Sequence, residues 1–389
     1  MANLFDYLNW RGDVPFSVDP FGEADGLLFA ELAYVGWEEV PADERTVTVA
    51  EARDAFFRVH TREEVAASSS WGAKAALLLD EMAEGARFRD VRIGAFFHEM
   101  DSEEKIQISA VTFLPGDGSA YVAFRGTDNS LVGWREDFNL TYLTETGGQR
   151  LAVEYLNRAG RWFPQALRVG GHSKGGNFAL YAAAGCESEV RERIREILAY
   201  DAPGYRQEVA ESEAITAVLP KLRRILPEGS IIGRLLTCVG PETVVESSGR
   251  GIGQHDAFTW DVVRNRFVRS VPTETSKVID QVLDSWLEQM DDETRRSLLD
   301  TVFEMLEDTG QDNFHSMSVQ KLKTAEALIS SMAGLPKERR QELLSLVGKL
   351  VKSSGQTATQ SAAAFLAARF GGEKASEENE EKEEEREEK

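Results

Sequence analysis

Cysteine and histidine are both scarce in this chain, with two and five residues respectively among 389. Cys186 and Cys238 have no metal-ligand spacing and are too few for a disulfide framework. They read as reduced thiols in or near a core. Cations are in deficit, 44 Lys and Arg against 66 Asp and Glu, for a formal net charge of -22. Phosphate recognition needs clustered Lys and Arg, so this charge argues against nucleic-acid binding and against nonspecific docking on anionic membranes. That charge does not exclude a lipid-like substrate reached through a small apolar patch. No run approaches the roughly 18 apolar residues of a membrane span. The opening MANLFDYLNWRGDVPF has neither a basic region nor an apolar one, so no signal peptide is expected. Together these absences predict a cytoplasmic protein without a transmembrane segment.

What is present is a core-forming composition, 42% hydrophobic, long enough for one large core or two smaller ones. The first hundred residues read mainly as helices and loops. Val49, Ala52, Phe56 and Val59 recur at helical spacing, and AALLLDEMAEGARF (75–88) is a second amphipathic helix. The period then changes. VRIGAFFHEMD and KIQISAVTFLP read as strands around a turn at 101–104, followed by strand-like AYVAFRGT, LRVGG, REILAYDAPG and GSIIGRLL. Helical RLAVEYLNRAGRWF, NFALYAAAG with ESEVRERIR, and EAITAVLPKLRRI lie between them. Strands alternating with helices predict an α/β fold, a mostly parallel sheet covered on both faces. From Thr273 the pattern is helical only. The final stretch from Glu373 carries ten Glu against four Lys or Arg, the composition of a solvated, disordered tail. The expected organisation is a domain over 1–272, a helical appendage over 273–372 and an acidic tail over 373–389.

The chemistry centres on RVGGHSKGGNFALYAAAG, residues 168–185. Gly171-His172-Ser173-Lys174-Gly175 fits G-x-S-x-G, and a strand-like run precedes it while a helix-like run follows. That setting is what a nucleophile elbow requires: a serine in a strained turn whose neighbours two residues away lack bulk. The helix N-terminus then offers the Lys174 backbone N–H to a developing oxyanion. A serine needs a base. In hydrolases with this elbow the chain order is Ser, acid, His, which leaves His255 and His315. His255 lies in a Gly-rich loop and His315 in the helical appendage, so His255 is the expected base. For the acid, Asp201 stands just past ILAY at the carboxyl end of a strand, and Glu228 is the alternative in the loop before SIIGRLL. Asp256 adjoins His255 and is badly placed to reach its ring. Thr127, in FRGTDNS after an earlier strand, is the candidate second oxyanion donor.

AYVAFRGT, GGHSKGG and AYDAPGY together resemble the lipase class 3 branch of the α/β-hydrolases. NLFDYLNWRGDVPF and IIGRLL…SSGRGIGQHDAFTW resemble the bacterial Mbeg-like proteins of that branch. The resemblance covers roughly residues 1–270. It implies an α/β-hydrolase fold with a nucleophile at Ser173, an oxyanion residue at Thr127 and a base at His255, and, by analogy, ester or lipid hydrolysis. One departure stands out. Class 3 lipases carry the acid in an Asp-x-Val-Pro motif, and PEGSIIG here has Ser230 where that Asp would stand. The acid is therefore missing, is Glu228, or has moved one strand earlier to Asp201, as in vertebrate pancreatic-type lipases. Two readings follow. One is a serine esterase with a Ser173-His255-Asp201 triad, acting on a small-molecule or lipid-like acyl ester without metal or cofactor. The other is a weak or inactive hydrolase-fold interaction module whose helical appendage binds a protein partner.

Overall fold

The computed structural model describes residues 2–274, apart from 38, 39 and 129, and isolated positions from 276 to 303. His315 and most of the expected helical appendage and tail lie outside the described residues.

Eight strands form one sheet in strict chain order. They are β1 (Thr46–Thr48), β2 (Arg92–Asp101), β3 (Ile106–Leu114), β4 (Ser119–Phe124), β5 (Ala166–His172), β6 (Ile194–Tyr200), β7 (Leu222–Pro227) and β8 (Glu242–Val245). The first four pair antiparallel and β4 to β8 pair parallel. Short turns at 102–105 and 115–118 join β2 to β3 and β3 to β4, as antiparallel neighbours allow. The parallel part follows from the helical crossovers, since parallel neighbours cannot be joined by a hairpin.

Side-chain alternation splits the core between the two faces of the sheet. Val111, Phe113, Tyr121, Ala123, Leu198 and Tyr200 pack with the N-terminal helices α1 (Leu4–Arg11), α2 (Glu23–Leu32) and, beyond α3 (Val49–Val59) and α4 (Arg62–Ala67), α5 (Trp71–Glu84). Ala110, Ala120, Val122, Phe124, Ile197 and Ala199 face the other way. There they meet α7 (Gly147–Trp162) and α8 (Lys174–Gly185), with α6 (Leu131–Asn139) preceding them in the chain. Helix starts follow the local chemistry. Thr48 with Glu51 and Thr146 with Gln149 form capping boxes, and Ser70 caps α5. No helix among the described residues is long and apolar enough to cross a membrane.

Two expectations about elements need correcting. GSIIGRLL is not a strand: residues 229–236 form a turn with a short 3₁₀ segment at Ile232–Arg234. The strand is LRRILP, one segment earlier, which reads as the end of a helix. Pro220 stops the preceding helix, which covers only Glu213–Val218. The last parallel strand, β8, carries only four residues and no motif, and the sequence did not announce it.

Candidate active site

Ser173 sits where β5 ends at His172 and α8 begins at Lys174. One residue must reverse the chain, and Ser173 does so at φ +59° and ψ -134°, a conformation non-glycine residues rarely adopt. Its N–H still donates to Tyr200 O over 2.8 Å, so the β5–β6 ladder runs into the turn. A Cβ at Gly171 would overlap the backbone of Gly175 and Phe124, and one at Gly175 would overlap Phe124. The two flanking glycines thus let the elbow close against the end of β4. Among the described residues no side chain caps α8, so its positive end can face a developing anion.

Asp201 follows β6 directly, at φ +42°. Its fully buried carboxylate accepts from His255 Nδ1–H through Oδ2 at 2.6 Å. The other oxygen, Oδ1, accepts from the Ser230 hydroxyl at 2.5 Å and from Gly233 N–H at 3.1 Å. A Cβ at Gly233 would overlap that oxygen, so glycine is required there. With Nδ1 donating, the neutral His255 ring keeps Nε2 as its acceptor nitrogen. The His255 loop is held from both sides: Gln254 accepts Gly229 N–H at 2.8 Å through its side chain and Trp260 Nε1–H at 2.8 Å through its carbonyl. Glu228 is engaged elsewhere, accepting the Ser270 hydroxyl at 2.6 Å. All of these groups stand at the carboxyl ends of β5 to β8, where open parallel sheets gather their ligands.

Gly126 brings the β4 loop onto the elbow. A Cβ there would lie 3.0 Å from Ser173 Cβ and overlap the His172 carbonyl. The next residue, Thr127, donates its hydroxyl to Asp137, so its backbone N–H is the group left to meet an oxyanion. Burial pushes the Asp137 carboxyl up to about 6, with Lys174 and Thr127 opposing. Lys174 runs its side chain into the protein. Nζ lies 3.0 Å from Glu136 Oε2 and 3.0 Å from Gln107 Oε1, with both charged side chains inaccessible. Glu136 also accepts Gln107 N–H at 2.9 Å and Gly148 N–H at 2.8 Å. Two consecutive carboxylates of α6 therefore fix the two residues whose amides would form an oxyanion hole.

Several residues of this neighbourhood carry no motif. His172 Nε2–H donates to the backbone carbonyl of His255 at 2.8 Å, and the two rings lie 4.6 Å apart between centroids. On its other side His172 Nδ1 meets the Tyr34 hydroxyl at 3.3 Å and Glu31 Oε1 at 3.4 Å. Burial pushes the His172 imidazole well below its ordinary range and, aided by Asp256, pushes the Glu31 carboxyl well above its own. A carbonyl on one side fixes the Nε2–H tautomer, so a neutral ring presents a lone pair to Glu31, and a protonated carboxyl suits that position. Trp71 packs against His172 and His255, and Lys74 bonds Asp256. The one sequence signal for this group is an acid inside an apolar run, Glu31 in GLLFAELAYVGW. Among the described residues no group of three or more His, Cys, Asp or Glu side chains is arranged to hold a metal ion.

A mixed sheet whose parallel part carries a strand–serine–helix elbow, with helices on both faces, defines an α/β-hydrolase fold. A family model described as Mbeg1-like matches residues 82–304, more than half of the sequence, and the chain belongs to that family. Solved structures similar to it include Lip2 lipase from Yarrowia lipolytica, 16% identical over 43% of this chain and 69% of that one, TM-score 0.32. Lipase II from Rhizopus niveus is 16% identical over 52% and 83%, TM-score 0.35. A lipase from Rhizopus microsporus var. chinensis is 15% identical over 51% and 72%, TM-score 0.35. No curated protein matches the chain.

Proposed function

We propose that this protein is a serine hydrolase that cleaves an acyl ester. Ser173 Oγ attacks the carbonyl carbon while its proton passes to His255 Nε2. Asp201 holds His255 in the tautomer that leaves Nε2 free and steadies the imidazolium that forms. The amides of Lys174 and Thr127 meet the oxyanion. His255 then returns the proton to the leaving alkoxide, and water repeats the sequence on the acyl-enzyme. No metal or cofactor enters this scheme.

The observation that carries this reading is the 2.6 Å Asp201–His255 hydrogen bond one strand from a strained serine elbow. The non-catalytic alternative drew its support from Ser230 standing where class 3 lipases place an acid. A carboxylate on His255 from the neighbouring strand removes that support, and no other observation favours it. Membership of a lipase-type fold and the apolar side chains Phe138, Leu143 and Ile252, exposed or partly so near α6 and the His255 loop, support a lipid-like or other hydrophobic acyl group. We also infer a hydrolase region over 1–272, a helical region over 273–372 and a solvated tail over 373–389. The scarcity of cysteine in the sequence supports a reducing, cytoplasmic setting. Turnover of p-nitrophenyl esters of increasing acyl length by the full chain tests the reading. Activity with a chain-length optimum is expected, and none with any ester contradicts it.

A further inference from the structure

The carboxylate of Asp201 has two oxygens with separate duties. Oδ2 serves His255, and Oδ1 is held by the Ser230 hydroxyl and the Gly233 amide. Gly233 is itself fixed, its carbonyl accepting Arg224 Nη2 at 2.8 Å. Ser230 is fixed by a later part of the chain. Ser276 Oγ donates to the Ser230 carbonyl at 2.5 Å, and Thr273 N–H donates to the Glu228 carbonyl at 2.8 Å. Ser276 N–H in turn donates to Thr273 Oγ1 at 3.2 Å. Ser230 and Ser276 are 1% and 2% exposed, so water does not compete for these bonds.

We propose that Ser230 and Ser276 are positioning residues, a two-bond brace by which the start of the helical region sets the orientation of the Asp201 carboxylate. The proposal rests on Asp201 being the acid of the reaction. A carboxylate free to turn about Cβ–Cγ offers His255 either oxygen in a spread of directions. Two fixed donors on Oδ1 leave one orientation, with Oδ2 in line with Nδ1. Ser230 thus supports an acid supplied from the neighbouring strand, and Ser276 reaches that acid through one intermediary. The other titratable and charged groups around the pair are His172 against the His255 ring, Asp137 on α6, and Asp256 with Lys74. None of them bonds to Ser230, so its removal leaves their contacts intact.

Full-length protein carrying Ser230→Ala is expected to lose about tenfold in kcat, with KM within about twofold of wild type. Ser276→Ala is expected to act in the same direction by about threefold, and Ser276→Thr, which keeps the hydroxyl, to restore about wild-type values. Low-field proton NMR of the His255 Nδ1–H needs no turnover. The resonance is expected in the wild type, absent in Asp201→Asn and shifted in Ser230→Ala. Those shifts in a protein without turnover would uphold the brace while refuting the hydrolase reading. A kcat and a resonance unmoved in both Ser→Ala variants would overturn the brace, whether or not their melting temperatures fall.

Discussion

His172 donates its Nε2 proton to the backbone carbonyl of His255 over 2.8 Å, so the residue beside the elbow serine holds the backbone of the residue read as its base. Burial keeps His172 neutral, in the tautomer with its proton on Nε2, and the acid facing the other ring nitrogen is Glu31, 3.4 Å from Nδ1. Neither Glu31 oxygen has a hydrogen-bond partner among the described residues.

Glu31 therefore makes a prediction about stability against pH. Burial raises its folded pKa, so the folded state binds a proton that the unfolded chain releases above about pH 4.3. The stability associated with the protonated carboxyl is complete below that value and is lost as pH rises. Glu31→Gln cannot ionise. Its unfolding free energy in urea titrations is expected to pull ahead of wild type as pH is raised from about 5 to about 8, by on the order of 1–3 kcal/mol at the upper end. Parallel curves for the two proteins would refute a neutral Glu31.

Asp201 and Glu228 make opposite predictions as acids. Asp201→Asn keeps the shape but not the charge, and in a serine protease the same change costs about 10⁴ in kcat. A loss of at least roughly 10²-fold in kcat is expected here, with KM little changed. Glu228 holds the Ser270 hydroxyl, so Glu228→Gln is expected to change activity by less than about tenfold. Steady-state kinetics on one ester decides the matter, and the reverse ranking would transfer the role to Glu228.

Lys174 and Glu136 form an ion pair closed to solvent. Removing one partner of such a pair leaves a buried charge alone, at a cost of about 3–5 kcal/mol. Lys174→Met and Glu136→Gln are each expected to destabilise by about that much, and the double variant by clearly less than their sum. Denaturant titrations of the four proteins give the coupling. Single effects below about 1 kcal/mol would mean that water reaches the pair.

The elbow was legible because its requirements are local: two glycines, a strand before and a helix after. Asp201 was legible for the same reason, since it ends the apolar run ILAY. Strand β7 was not, because Arg223 and Arg224 interrupt its apolar pattern. Arg223 reaches out to Glu196 and Glu23, while Arg224 turns back to the Gly233 carbonyl. The more apolar SIIGRLL beside it turns instead, around Gly229 and Gly233. Ser230 was visible only as a departure from the family's acid, and its bond to Asp201 depends on two strand ends meeting in space. Glu31 and Trp71 come from N-terminal helices and Tyr34 from the turn after α2; their contact with the elbow is wholly tertiary, and no spacing in the chain announces it.

The central claim is that Ser173 is a nucleophile, and covalent labelling by a fluorophosphonate tests it most directly. Intact-mass and peptide analysis of the full chain should show one adduct, on Ser173, formed at a rate that falls by about 10² or more in His255→Ala. Ser173→Ala should remain folded and take no label. A wild-type chain that stays unlabelled, or a Ser173→Ala chain labelled as fast as wild type, would contradict the account.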